Sequence, residues 1–373
     1  MKTSEIQNLS IAVVGGGYGG AAAAIALRSI GAESVHVYEQ APALGQVGAG
    51  IGLRPITVEL FRQWGIFDEI AAVSSPSDYL EILSADGGQV LAQEVWPQLN
   101  DFAQPNHTRI IHRGDFIDAL LGVLPKEVVH LDHKLTAIED LGGQAKLTFE
   151  NGNTVTADVV IGADGIRSLV RKQLFSDQEP VFAGEHAYRA VISLEDAFGL
   201  GTEDNNPRFY MGHNGTIAYN LPLPHRGELS YDITAPSADG SWAPEISNDY
   251  LVSLLEGFDE RIVNIARNLD LSKVTSRSVF DIDPVQNWHT DSVALLGDAA
   301  HAMLHHQGQG ANSAIQDAQG LADAFLAAGS VPEALAAYQA ARKPVTDELQ
   351  RLSRLGWNAN AVENAFPEQA SAK

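Results

Sequence analysis

The sequence predicts an α/β protein with a strand-rich insertion and a helical C-terminal end, and three observations carry that prediction. The segment "SIAVVGGGYGGAAAAIALRSIGAESVHVYEQ" at 10–40 passes from an apolar strand through a glycine-rich turn and an alanine-rich helix into a second strand. The order strand, turn, helix returns in "TADVVIGADGIRSLVRKQL" at 156–174 and in "DSVALLGDAAHAMLHHQGQGANSAIQDAQGLADAF" at 291–325. Between these, runs such as "YRAVISL", "TIAYNLPL" and "GELSYDIT" read as strands, and from about Pro332 onward the pattern is helical.

The first segment is a Rossmann-like β-α-β unit. Gly15, Gly17 and Gly20 fit G-x-G-x-x-G where strand meets helix. The first glycine permits the tight turn, the second lets backbone approach a pyrophosphate, and the third allows close helix-to-strand packing. Gly31 closes the helix. Glu39 ends the second strand roughly 20 residues beyond the last glycine, where a carboxylate can accept bonds from an adenosine ribose. Strand, helix, strand and acid in register therefore predict a bound dinucleotide.

The later segments repeat that logic for other parts of a ligand. Asp164 and Gly165 form a tight turn after one strand, followed by Arg167 and Arg171 at helical spacing; these arginines are either ligand contacts or solvated helix residues. Gly297 and Asp298 follow another strand, and a glycine-containing loop then opens a long helix near Ala311. An acid at a strand end can bond a sugar-like hydroxyl, and backbone N–H groups at a helix start can face negative charge. "KLTFENGNTVTADVVI" carries an Asn-Gly turn between alternating runs and predicts a hairpin.

Composition narrows the function. The 373 residues, 45% of them hydrophobic, suffice for two domains. A net charge of -23 disfavours nucleic acid and anionic membrane. The N-terminus has no apolar signal region, and no apolar run reaches the ~20 residues of a membrane span, so a cytoplasmic protein is expected. There is no cysteine, so redox chemistry requires a bound cofactor. The twelve histidines show no metal-ligand spacing, no metal is expected, and no G-x-S-x-G nucleophile elbow occurs.

"GGGYGG" with Glu39, "IHRGDF" at 111–116, "GADGIRSLVR" at 162–171 and "LLGDAAHAMLHHQGQGANSAIQDA" at 295–318 resemble the single-component flavin-dependent aromatic hydroxylases typified by para-hydroxybenzoate hydroxylase. Within that class the chain looks nearest to salicylate hydroxylases and 6-hydroxynicotinate 3-monooxygenases. The resemblance spans nearly the whole chain. It implies a Rossmann-like FAD-binding domain of the para-hydroxybenzoate hydroxylase type, with an inserted β-sheet substrate domain and C-terminal helices. The expected limits are 1–71, 101–175 and 276–331 for the FAD domain, 72–100 and 176–275 for the substrate domain, and 332–373 for the helical layer.

Carried over position by position, the resemblance places the pyrophosphate of a non-covalent FAD over Gly15, Gly17 and Gly20, and the adenosine ribose on Glu39 beside Gln40. Arg113 is expected to reach the FAD, Asp298 to bond its ribityl chain, and Gly310, Ala311 and Asn312 to face the pyrimidine end of the ring. Asp164 and Arg167 are expected near the pyrophosphate, where NADH or NADPH approaches as a transient co-substrate. Two positions depart from the family pattern: His305 stands where a proline is usual, and Pro55-Ile56 follow "GAGI" where Pro-Asn is usual. His305 and His306 either tune proton movement or are structural.

The implied chemistry is hydroxylation of an aromatic or N-heteroaromatic ring, phenolic and possibly carboxylated, with NAD(P)H and O₂ through a flavin C4a-hydroperoxide. A residue that bonds or deprotonates the substrate's ring hydroxyl is then needed. Tyr219 of "TIAYNLPL" matches a pocket tyrosine of the hydroxynicotinate enzymes, but the histidine found there four residues earlier is Gly215 here, and His213 is the substitute considered. A plain core tyrosine is the alternative. Tyr210, Arg54 and Arg189 are further candidates, an arginine serving a substrate carboxylate. The expected partners are a small aromatic substrate and O₂, with the chain a monomer or homodimer. A reductase or dehydrogenase of the same fold, or a non-catalytic redox sensor, stays open: the first would show no aromatic-stimulated O₂ uptake, the second no turnover. The absence of a second G-x-G-x-x-G unit argues against disulfide reductases and Baeyer–Villiger-type relatives, which keep a separate nicotinamide domain.

Overall fold

The chain begins with α1 (Thr3–Gln7), β1 (Ser10–Val14), α2 (Tyr18–Ser29) and β2 (Ser34–Tyr38), the last three forming the expected β-α-β unit. Strands β1 and β2 pair in parallel from Ser10↔Ser34 to Val14↔Tyr38. Strand β1 is buried from Ile11 to Val14, and α2 buries Gly19, Gly20 and five alanines, so helix and sheet approach closely. A Cβ on Gly20 would stand 1.9 Å from Gly15 O, which only glycine avoids. Next come β3 (Gly50–Leu53), α3 (Pro55–Gln63), α4 (Phe67–Ala72), β4 (Ser74–Ser77), β5 (Tyr79–Ser84), β6 (Val90–Val95), β7 (Thr108–His112) and α5 (Arg113–Gly122).

Strands β8 (Val129–His130), β9 (Leu135–Asp140), β10 (Ala145–Phe149), β11 (Thr154–Ala157) and β12 (Val159–Gly162) follow, then α6 (Leu169–Leu174). The predicted hairpin is β10–β11, antiparallel, with Gly152 at φ +85° in its turn. The strand-rich stretch comprises β13 (Val181–Ser193), β14 (Arg208–Met211), β15 (Ile217–Leu223), β16 (Glu228–Pro236), α7 (Asn248–Ser253), α8 (Glu260–Asn268) and β17 (Thr275–Asp281). The chain closes through β18 (Val293–Leu295), α9 (Asp298–His301), α10 (Gly310–Ala327) and α11 (Val331–Ser353).

This is a computed structural model that describes residues 1–43, 48–95 and 107–356. The end of the expected helical layer, 357–373, and the expected join at residues 100 and 101 lie outside the described residues. The chain divides into two units: Met1–Gly45, Ile117–Val181 and Phe280–Lys373 form one, and Gln46–Phe116 with Phe182–Val279 form the other. Arg113 and the "GAGI" turn belong to the second. Among the described residues no helix is long and apolar enough to cross a membrane.

The first unit holds a parallel sheet ordered β18-β12-β1-β2-β8 and an antiparallel sheet β11-β10-β9. All three strand–turn–helix segments therefore start from one sheet, with β1 beside β12 and β12 beside β18. The second unit holds a mixed sheet ordered β17-β13-β16-β15-β14-β5-β6 and a small sheet β3-β7-β4. One face of the large sheet packs Tyr188, Tyr210, Leu229, Tyr231 and Ile233 with Leu251, Leu255, Ile262 and Ala266 of the α7–α8 region. Because side chains alternate along each strand, Arg189, Phe209, Tyr219, Ser230, Asp232 and Thr234 fall on the opposite face.

Candidate functional site

The glycine turn divides its work by position. Gly15 (φ +107°) needs its left-handed backbone, and a Cβ there would lie 2.3 Å from Ala163 O. A Cβ on Gly17 would meet nothing within 4 Å, so this glycine faces open space at the start of α2, whose cap carries no side-chain hydrogen bond. Glu39 spans the turn: its Oε2 accepts the Gly16 N–H at 2.6 Å and its Oε1 the Ala41 N–H at 2.9 Å. Gln40 follows, exposed. This cradle of helix-start N–H groups and a carboxylate fits the diphosphate and ribose of an FAD.

Asp164 is engaged locally. Its Oδ1 accepts Ser168 Oγ–H at 2.5 Å and its Oδ2 the N–H groups of Leu169 and Val170 at 2.7 and 3.2 Å, anchoring the start of α6. Burial pushes its carboxyl up, and the hydrogen bonds from Ser168, Val170 and Leu169 only partly oppose this. Arg167 is exposed, whereas Arg171 is 2% exposed and donates to Ala299 O at 2.9 Å and Ile166 O at 2.5 Å. Arg171 therefore ties the second motif to the third, a job neither sequence reading of it covered.

In the third segment Gly297 (φ +62°) turns the chain into α9, presenting half-buried Asp298. Asp298 Oδ1 stands 3.9 Å from where a Cβ of Gly310 would be, so the acid and the start of α10 (Gly310, Ala311, Asn312) come together. The first-turn N–H groups of α10 cannot be satisfied within the helix. Further along α10 lies fully buried Asp317, which sequence reasoning missed and for which a carboxylate inside an alanine-rich helix was the available signal. It accepts Gly297 N–H at 3.2 Å, His301 Nε2 at 2.5 Å and Arg342 Nε at 2.8 Å. Burial pushes its carboxyl up, but His301 and Arg342 outweigh burial and hold it below the usual range. His305 is half-buried in a short turn tied to α11, where Leu304 N–H donates to Ser353 Oγ and His306 Nδ1 lies 2.9 Å from Ser353 O.

In the second unit, Arg113 opens α5, exposed, with its N–H on Ala49 O at 3.0 Å. Two residues on, Asp115 meets Arg226 of the β15–β16 turn at 2.7 Å, pinning that turn beside the motif. Arg54 caps α3 with Glu94 3.8 Å away; burial lowers its guanidinium to about 10 against the opposing pull of that carboxylate.

The large sheet's polar face carries a charged rung that runs across four strands. Phe209, Tyr219, Asp232 and Arg189 stand opposite one another on β14, β15, β16 and β13. The rings of Phe209 and Tyr219 stack at 4.8 Å. Arg189 Nε lies 3.1 Å from Asp232 Oδ1, and Ser230 Oγ donates to Oδ2 at 2.8 Å. Burial pushes Asp232 up to about 6 despite Arg189, and burial together with Asp232 raises Tyr219 above the ordinary phenol range. The structure thus brings Tyr219 and Arg189 together and adds Asp232, which the i, i+2, i+4 spacing of Ser230, Asp232 and Thr234 could have signalled. It does not bring His213 to them: that residue is exposed in the β14–β15 turn, with Asp86 as a charged neighbour. Tyr210 packs in the apolar core on the opposite face.

Comparison with known proteins bears on the family and the fold. The family model described as "FAD binding domain" matches residues 8–353. A 6-hydroxynicotinate 3-monooxygenase of Pseudomonas fluorescens is 33% identical over 358 residues, covering 93% of this chain and 91% of the relative. A salicylate hydroxylase of Pseudomonas putida is 29% identical, covering 95% and 86%. A salicylate hydroxylase substrate complex superposes with TM-score 0.77 at 26% identity, covering 98% and 93%. Klebsiella pneumoniae HpxO complexed with FAD and uric acid shares the fold, with TM-score 0.82 at 21% identity over 97% and 93%.

Proposed function

We propose, from the premise that this chain belongs to the FAD-binding-domain family of flavin-dependent aromatic monooxygenases, that it hydroxylates a ring already bearing a hydroxyl group. The family makes the chain an FAD- and NAD(P)H-dependent oxidoreductase. Bound FAD, reduced by NAD(P)H, supplies the activation of O₂ and the transfer of one oxygen atom. We assign its diphosphate to Gly15, Gly17 and Gly20, its ribose to Glu39, its ribityl chain to Asp298, and its ring to the start of α10.

The observation that carries the substrate reading is the Tyr219–Asp232–Arg189 rung: a buried phenol and carboxylate with a half-buried guanidinium on one sheet face, beside the stacked ring of Phe209. A tyrosine in such company can bond a ring hydroxyl and orient it, and Arg189 supplies the positive charge that favours a phenolate there. The carboxylated, hydroxylated rings in the names of the relatives, hydroxynicotinate and salicylate, support an aromatic acid as substrate class.

The test is a panel of hydroxylated benzoates and hydroxypyridine carboxylates, scored by stimulated NADH and NADPH oxidation and by ¹⁸O incorporation from ¹⁸O₂. At least one compound is expected to raise NAD(P)H oxidation and emerge with one labelled oxygen. Oxidation that no aromatic changes, with no labelled product, would return the chain to the reductase reading.

A further inference from the structure

Asp232 is 1% exposed, and a carboxylate so deeply buried is costly unless its surroundings define its charge. The groups that face it are Arg189 from β13, Tyr219 from β15 and, on its own strand, Ser230. Ser230 is not a route onward. Its one proton is committed to Asp232 Oδ2 and its oxygen accepts Gly50 N–H of β3 at 2.8 Å, closing that side. Oδ1 differs: it is fully buried, near Arg189 Nε, yet has no aligned hydrogen bond. The Tyr219 hydroxyl, from the residue directly opposite on β15, is the neutral donor beside the Asp232 carboxyl.

The same surroundings limit what Tyr219 can do. Burial and the adjacent Asp232 disfavour a tyrosinate, so Tyr219 rests as the neutral phenol and can accept the substrate's proton only as it gives up its own. It must pass its own proton on. We propose that Asp232 is the terminal proton acceptor in substrate activation, reached through Tyr219. This rests on the reading above that Tyr219 meets the ring hydroxyl of an aromatic substrate. The substrate O–H bond breaks as an O–H bond forms on Tyr219, and the original Tyr219 O–H bond breaks as one forms on an Asp232 oxygen. No electron is transferred. Negative charge moves from Asp232 to the ring, leaving Arg189 as its counter-charge, and the net charge of the ensemble is unchanged.

Two measurements on the FAD-loaded protein test this. Infrared difference spectra of ¹³C-aspartate-labelled protein between pH 4 and 8, wild type against Asp232→Asn, should show one carboxyl titrating near 6 without any substrate. Ser230→Ala, which removes a hydrogen bond to the charged form, should move that midpoint upward. An ordinary midpoint near about 4 would overturn the proposal. With the aromatic identified by the panel, kcat/KM should rise with pH through the same midpoint. Asp232→Asn should abolish that acid limb and lower kcat/KM by ~10²-fold or more, while flavin reduction by NAD(P)H changes little. Should Asp232→Asn fail to fold, the limb in Ser230→Ala must shift together with the infrared midpoint, and a limb that stays in place overturns the proposal. A wild type that oxygenates no aromatic would instead strike the hydroxylase reading, because the infrared titration stands without substrate.

Discussion

Glu39 and Gly16, 23 residues apart in sequence, are joined by a 2.6 Å hydrogen bond from the Gly16 N–H to Glu39 Oε2. The acid at the end of β2 thus holds the glycine turn in shape as well as standing beside the assigned ribose position. Its second oxygen, on Ala41 N–H, fixes the chain as it leaves the strand. Glu39→Ala is expected to weaken FAD binding by at least tenfold, since it removes both the anchor and the proposed hydroxyl acceptor. Fluorescence titration of the apoprotein with FAD measures this, and an unchanged Kd would refute it.

The three fingerprint glycines should separate experimentally. Gly17→Val adds atoms to open space and is expected to leave the apoprotein's unfolding midpoint within about 0.5 kcal/mol of wild type while the protein purifies largely colourless. Gly20→Ala drives a Cβ into Gly15 O and should destabilise the apoprotein by about 1–3 kcal/mol. Asp298→Ala should behave like Gly17→Val. Stoichiometric FAD in both Gly17→Val and Asp298→Ala would show the assignment to be wrong.

Tyr219→Phe preserves the stack on Phe209 and deletes only the hydroxyl. Oxygen transfer is expected to fall by ~10²-fold while NAD(P)H consumption continues, the balance of oxygen appearing as H₂O₂. Product and peroxide per NAD(P)H decide the matter. Unchanged coupling would make Tyr219 a packing residue and turn attention to His305.

Arg171 clasps two carbonyls from separate motifs with one planar guanidinium. A lysine ammonium cannot span both in that geometry. Arg171→Lys should cost about 2 kcal/mol of apoprotein stability and weaken FAD binding, because the Ala299 carbonyl belongs to the helix that begins at Asp298. Urea unfolding with FAD titration checks both, and no change in either would reduce Arg171 to passive packing.

Asp317 carries the pH prediction. Its folded carboxyl lies below the ordinary range, held there by His301 and Arg342 against burial. Its ionic contribution is therefore present above the unfolded value, near about 3.9, and is lost as pH falls through the lower folded value. Asp317→Asn, which keeps the shape without the charge, should be less stable than wild type from pH 5 to 7, and the two stability curves should converge below pH 4. Curves separated by a constant amount throughout would mean that the charge is not what stabilises. Asp317→Ala strands His301 and Arg342 and is expected to cost about 3–5 kcal/mol.

The sequence by itself determined the local elements and their order. Glycine spacing, apolar runs and the Asn-Gly turn specified the β-α-β unit, the β10–β11 hairpin and the strand–turn–helix starts at Asp164 and Asp298, because periodicity and turn chemistry act over a few residues. The family pattern then named FAD. Only the tertiary structure decided which side chains meet. Strand register put Asp232 between Tyr219 and Arg189, residues drawn from three strands across a long stretch of chain, and strand alternation sent Tyr210 to the opposite, apolar face. Helix packing enclosed Asp317 between His301 and Arg342, and the turn after β14 left His213 exposed. Charge state follows the same division, since the burial that raises Asp232 and the neighbours that lower Asp317 are supplied by distant segments and have no trace in the residues beside them.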